Sequence, residues 1–233
     1  MTNPTALPKY VQIAETLIRD MAAGRLIAGE RLPPERRMAD DMGIAVGTLR
    51  KALSDLADRG LLERIQGSGN YVKSGADTSG IYAFFRLELV GGGGLPTAEV
   101  ISVATRDKPA GLPAFGTSDH GHRIRRLRRL SGTPAAVEEI WLDGGFARSL
   151  RVEELSESLY LYYRKRLGLW IARAEDQVGV STVPDWAGPP FALAPSTTCG
   201  YVERIARADT GKSAEFSRTW FDPQRARYVA RLK

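Results

Sequence analysis

Only one cysteine, Cys199, occurs among the 233 residues, so no internal disulfide can form and a reducing compartment is expected. Its thiol reads as a small buried hydrophobe rather than a nucleophile. No apolar run reaches the length of about 18 residues that a membrane-spanning helix needs. The opening MTNPTALPKY contains no apolar stretch of signal-peptide length. A cytoplasmic protein with no membrane partner is therefore expected. Histidine is scarce too. His120 and His122 are the only two, and no neighbouring cysteine or acidic cluster completes a ligand set around them, so they are expected in a surface loop with no metal. No nucleophile–base pair stands out, which argues against an enzyme, and nothing calls for a cofactor. No internal repeat is present.

What the chain does have is a modest excess of base: 33 Lys and Arg against 27 Asp and Glu, net +6. That balance permits a nucleic-acid partner without establishing one. The length suits one large domain or two smaller ones, and two regimes of pattern favour two. From Tyr10, apolar residues fall at Ile13, Ala14, Leu17, Ile18 and Met21, which is helical spacing with one buried face. Pro33-Pro34 opens a second helix with Glu35 in its first turn; Met38, Ala39 and Met42 form its apolar side and Gly43 ends it. A third helix is expected from about Ala45 to Arg59, burying Leu49, Ala52, Leu53, Leu56 and Ala57, with Gly60 as its stop. Two short helices around a Gly-containing turn make a helix-turn-helix. LLERIQGSGNYV then alternates as two strands, Leu61–Gln66 and Asn70–Lys73, around the tip Gly67-Ser68-Gly69. The sum is a winged helix-turn-helix over residues 1–73, a DNA-binding architecture.

SGADTSG, residues 74–80, is small and polar and reads as a linker. Residues 81–233 change character. Strand-like runs recur at IYAFFRLELV, AEVISVAT, HRIRRLRRL, AAVEEIWL, DQVGVSTV, YVERIARAD and EFSRTWF, with SGTP and DTGK as hairpin turns. Helical pattern is confined to SESLYLYYRKRLG and PFALAP. An α+β domain around an antiparallel sheet is expected.

Two resemblances sharpen this reading. LPPERRMADDMGIAVGTLRKALSDLADRGLLERIQGSGNYV resembles the winged-helix domain of the GntR family of bacterial transcription regulators. RIRRLRRLSGTPAAVEEIWL, SLYLYYRKRLGL with ARAEDQV, and VERIARADTGKSAEFSRTWF resemble the UTRA effector domain of the HutC branch, a fold related to chorismate lyase. Together they imply a ligand-responsive transcription regulator, expected as a repressor. It would act as a homodimer on palindromic double-stranded DNA and sense a small anionic metabolite such as a sugar phosphate or carboxylate. The alternatives are a constitutive dimeric DNA-binding protein without an effector and a lyase-like enzyme; the enzyme would leave the DNA-binding module unexplained.

Candidate residues follow. Arg36, on the first turn of the second helix, can reach phosphate or a base edge, and the resemblance carries it over as a DNA contact. Thr48 and Arg50 lie near the start of the third helix, where such proteins enter the major groove; Arg50 can serve guanine O6 and N7. Gln66 and Gly67 sit at the wing. The family commonly begins this helix Ser-Arg-Thr-Thr, and here it reads Ala45-Val46-Gly47-Thr48. The guanine-reading arginine and the hydroxyl cap are thus missing, and Val46 or Ala45 is left to touch a thymine methyl.

In the strand HRIRRLRRL, Ile124, Arg126, Arg128 and Leu130 share one face. Half-buried arginines need an anion, either an internal carboxylate, for which Glu138 is the obvious candidate, or a ligand. The resemblance implies a ligand: Arg126 and Arg128 hold a phosphate with help from Ser158 and Tyr160, while Glu138 and Glu215 take sugar hydroxyls. Thr97 is the only hydroxyl of the loop VGGGGLPTAE, and Phe221 stands where some members have tyrosine.

Overall fold

The computed structural model describes residues 7–22, 24–73, 84–156 and 158–231. They divide into two compact units: residues 7–73 with 84–86 and 229–231, and residues 87–228. The segment 74–80 read as a linker lies outside the described residues.

The first unit holds α1 (Lys9–Ala22), α2 (Glu35–Asp41), α3 (Val46–Asp58), β1 (Leu62–Ile65) and β2 (Gly69–Val72). Its core joins Ile13, Leu17, Ile18 and Met21 of α1 to Met38 of α2 and Leu49, Leu53 and Leu56 of α3. These are the positions that period-3.6 spacing puts on one stripe of each helix. Burial of α1 goes beyond that stripe, however. Gln12, Glu15, Thr16 and Arg19 are buried as well; Glu15 receives the Arg59 guanidinium at 2.8 Å, and Arg19 lies over the Phe85 ring. The wing pairs antiparallel from Leu62↔Val72 to Ile65↔Gly69. Residues 29–32 run beside it, with Leu32 N–H donating to Asn70 O and Val72 N–H to Glu30 O, an added edge that the sequence pattern did not announce.

The second unit is built on a six-stranded antiparallel sheet in the order β4-β5-β6-β9-β8-β7. The strands are β4 (Pro96–Asp107), β5 (His120–Leu130), β6 (Thr133–Asp143), β7 (Ile171–Thr182), β8 (Thr198–Ala208) and β9 (Ser213–Phe221). Two consecutive meanders, β4-β5-β6 and β7-β8-β9, meet at the β6–β9 pair. The tight turn between β5 and β6 puts Ser131 and Gly132 at positive φ, the geometry that matches strand twist in a two-residue hairpin. Between β6 and β7 the chain crosses by way of α4 (Leu159–Tyr162), which widens into a π turn over Tyr163–Leu167. A small separate pair joins β3 (Leu87–Leu89) to β10 (Ala226–Tyr228).

Register sorts side chains onto two faces. One face stacks four rows across β5, β6, β9, β8 and β7: His122–Leu142–Glu215–Ala206–Ala174, Ile124–Ile140–Ser217–Arg204–Asp176, Arg126–Glu138–Thr219–Val202–Val178, and Arg128–Ala136–Phe221–Gly200–Val180. The opposite face packs Leu127, Val137 and Trp220 against Val183, Ala187 and Phe191, and Trp141 and Phe216 against Phe115.

Three expectations change. PFALAP forms turns and bends rather than a helix, because burial of Phe191 anchors it as a loop. Of IYAFFRLELV only Leu87–Leu89 is strand among the described residues. The histidines belong to β5, not to a loop. His122 is fully buried, hydrogen-bonded to Thr105 Oγ1 at 2.9 Å and to Ala147 O at 2.8 Å, and only His120 is exposed. No group of ligating residues that could hold a metal occurs among the described residues.

Candidate functional site

In the first unit the outward side of α3 is set by what its inner side buries. Leu49, Ala52, Leu53 and Leu56 face the core, which leaves Arg50 exposed and Thr48 half-buried. Arg50 Nε donates to Glu35 Oε2 at 2.6 Å, so the guanidinium is held over the start of α2. Arg36 is exposed in that same first turn, and Gln66 and Gly67 are exposed at the hairpin tip. Between the wing and the start of α2 lies a groove of about 610 Å³, lined by Arg31, Pro34, Glu35, Arg64, Gln66 and Gly67 among others. Arg31 and Arg64 are exposed there and were missed in the sequence, because nothing in their spacing says which loop faces the wing. Val46 packs partly buried against the core, so Ala45 and Gly47, both exposed, are what the start of α3 offers outward. Ala45 is the N-cap residue and makes no side-chain cap hydrogen bond.

In the second unit one sheet face carries a buried polar floor. Arg126 Nη2 donates to Glu138 Oε2 at 2.6 Å and Arg128 Nη2 to the same oxygen at 3.0 Å. All three residues are buried. Burial pushes the Glu138 carboxyl upward, but the two guanidinium charges and their hydrogen bonds outweigh it and hold the group at about 2. The internal carboxylate, one of the two partners left open for the arginine pair, is thus present.

Glu215, also buried, accepts from Tyr163 Oη at 2.8 Å and Tyr160 Oη at 3.2 Å. Burial raises its carboxyl above the ordinary range, further than the Tyr163 bond and the charges of Arg126 and Arg204 pull it back. Tyr160 also bonds Arg204, which grips Asp176 through Nε and Nη2 at 2.5 and 2.6 Å. Tyr228 Oη donates to Asp176 Oδ2 at 2.7 Å. Beside this network a cavity of about 460 Å³ opens at Val178, Val180, Gly200, Phe221 and Tyr228. Gly200 is required where it stands, since a Cβ there would run into the Phe221 ring.

The structure therefore brings Arg126, Arg128, Glu138, Glu215, Tyr160 and Phe221 to one face. Ser158, buried, caps α4 by accepting from Leu161 N–H at 3.4 Å. Thr97 pairs with Arg129, whose side chain points to the side of the sheet opposite Arg128. Tyr163, Arg204, Asp176 and Tyr228 were not singled out from sequence. Arg204 lies on one strand face between Val202 and Ala206, much as Arg126 and Arg128 lie between Ile124 and Leu130, but which strands lie side by side cannot be read from that spacing.

A winged helix followed by a sheet with this crossover defines a class of two-part bacterial regulator. Residues 9–72 match the bacterial regulatory proteins of the gntR family and residues 92–227 match the UTRA domain. The chain is 60% identical over 228 residues to the HTH-type transcriptional regulator SmoD of Agrobacterium fabrum, covering 98% of this chain and 97% of that one. It is 25% identical to the HTH-type transcriptional repressor NagR of Bacillus subtilis, over 98% and 96% of the two chains. The crystal structure of YydK from Bacillus subtilis superposes with a TM-score of 0.54 at 20% identity, covering 97% of this chain and all of that one. The chain belongs to the GntR family and carries its UTRA domain; it is a transcription regulator, not an enzyme.

Proposed function

We propose that the chain is a homodimeric repressor of a palindromic operator and that a small hydroxylated anion, a sugar phosphate or sugar carboxylate, is its effector. Arg36, Thr48, Arg50, Gln66 and Gly67 would contact DNA. Arg126 and Arg128 would hold the anion, with Glu138, Glu215, Tyr160, Ser158 and Phe221 around its hydroxylated body. The observation that carries the effector reading is that two guanidinium groups share the Glu138 carboxylate on a buried face, beside a second carboxylate and two phenols. An arriving anion can take donors from Glu138 and free its oxygens for ligand hydroxyls, so one rearrangement satisfies both partners. Thr97 is left at the margin by its register. Repression is supported by the resemblance to a transcriptional repressor over nearly the whole length of both chains.

The pairing also decides the test. Removing the arginines alone strands a buried carboxylate, and removing the carboxylate alone strands two buried guanidinium groups, each at a cost of roughly 3–5 kcal/mol, so Arg126→Gln and Arg128→Gln are combined with Glu138→Gln. A thermal-shift screen of sugar phosphates and hydroxy acids first identifies a ligand. The triple variant is expected to keep its fold and its operator affinity and to lose the ligand response. A full response in that variant refutes the assignment, and a wild type that no such anion stabilises favours the constitutive reading.

A further inference from the structure

The network around Glu215 runs through Tyr160, Arg204 and Asp176 to Tyr228, at the close of β10. Among the described residues the chain passes between the compact units at two points, Arg86–Leu87 and Tyr228–Val229. These points are neighbours: Leu87 pairs with Tyr228 across β3 and β10, and Val229 N–H donates to Arg86 O at 2.8 Å. Each strand of this pair has only three residues. Few ladder bonds hold it, so the bonds at its two ends carry weight. At the start of β10, Ala226 N–H donates to Asp222 O. At its end, the Tyr228 hydroxyl donates to Asp176.

We propose that Tyr228, Asp176, Arg204 and Tyr160 form a coupling relay that conveys the state of the Glu215 floor to the β3–β10 pair, and through it to the two connections with the DNA-binding unit. The proposal rests on the reading of that floor as the effector site. Each step has a reason to respond to the one before. The Tyr160 hydroxyl has one proton, donated to Glu215, and its oxygen accepts from Arg204. A ligand hydroxyl that takes over Glu215 turns the phenol and changes what Arg204 meets. Arg204 is a planar fork with its other edge committed to Asp176 through two short bonds, so it moves with that carboxylate rather than independently. Asp176 is shared between Arg204 and Tyr228 and hands the shift to the end of β10. Arg204 and Tyr228 are thus positioning residues for the response and need not touch the ligand.

Amide hydrogen exchange on the full chain tests this without any ligand. Tyr160→Phe should raise exchange at β10 and β3 by roughly two- to tenfold, the factor expected from loss of about one hydrogen bond. Tyr228→Phe should do the same. The double variant should exchange no faster there than Tyr228→Phe alone, because the relay is already cut at its far end. A change after Tyr160→Phe confined to α4 and β9, or additive effects in the double variant, overturns the proposal. Failure here leaves the effector assignment standing, since that is judged by ligand response in the Arg126/Arg128/Glu138 variant.

Discussion

Glu138 is the residue on which the second unit's pH behaviour turns. Its carboxyl sits at about 2 when folded against an ordinary 4.5. A depressed carboxylate contributes stability that is present above the ordinary value and lost as pH falls toward the folded one. The gap corresponds to roughly 3 kcal/mol between about pH 5 and pH 2. Glu215 works the other way: its raised carboxyl costs stability when ionised, and that cost is relieved as pH falls through its folded value. Urea unfolding at pH 7, 4 and 3 is expected to show Glu138→Gln destabilised at pH 7, where two buried guanidinium groups lose their carboxylate, and flatter than wild type below pH 5. An unchanged acid slope would mean that Glu138 is not held low. On the DNA side, the Arg50–Glu35 pair is exposed and worth little to the fold. Arg50→Ala is expected to cost roughly 1–3 kcal/mol of operator binding, and less on unrelated sequence. An equal loss on both in fluorescence anisotropy would make Arg50 a phosphate contact. Glu35→Ala should release the guanidinium and leave operator binding equal or slightly tighter.

At the scale of the element, α3 begins poorly for the helix proposed to read DNA. Ala45 offers no cap, and Gly47 occupies the first turn with open space where a Cβ would go. Ala45→Ser should stabilise the chain by about 1 kcal/mol. Gly47→Ala should add roughly 0.5–1 kcal/mol by helix propensity. Both would show as a higher melting temperature. If the bare backbone at Gly47 exists so that DNA can approach closely, Gly47→Ala will be more stable and bind the operator more weakly. Stability gained with no loss of affinity would place Gly47 outside the DNA contact.

At the scale of the whole molecule, a symmetric dimer is expected, because two winged helices reading one operator need a two-fold relation between half-sites. Light scattering at micromolar concentration should return twice the 25.5 kDa chain mass. Operator affinity should fall steeply with salt as phosphate contacts release counterions. A monomer under those conditions would remove the palindromic reading.

Much of this was legible in the residues themselves. Period-3.6 spacing and glycine stops placed α2 and α3 within a residue or two. Strand-like runs bounded by turn residues located β5, β6, β8 and β9, because local pattern is all that a helix stripe or a strand face requires. The pairing of Arg126 with Glu138 was open from sequence as one of two alternatives, a ligand being the other, since one tight turn joins their strands and fixes the register. What the sequence could not determine is what lies across long separations. Tyr160 and Tyr163 meet Glu215 from more than fifty positions away, and Arg204 meets Asp176 across 28. Tyr228 reaches Asp176 from a strand too short to show alternation. The same limit explains Thr97, which as a hydroxyl in a glycine-rich loop looked free to face the arginines. Whether it did depended on the pleat of β4 against β5, where a one-residue step in register sends a side chain to the other face. Sequence determined the elements and the kinds of chemistry they carry; only the tertiary order β4-β5-β6-β9-β8-β7 decided which of those groups share a face, because neighbours within a sheet are chosen by packing and not by distance along the chain.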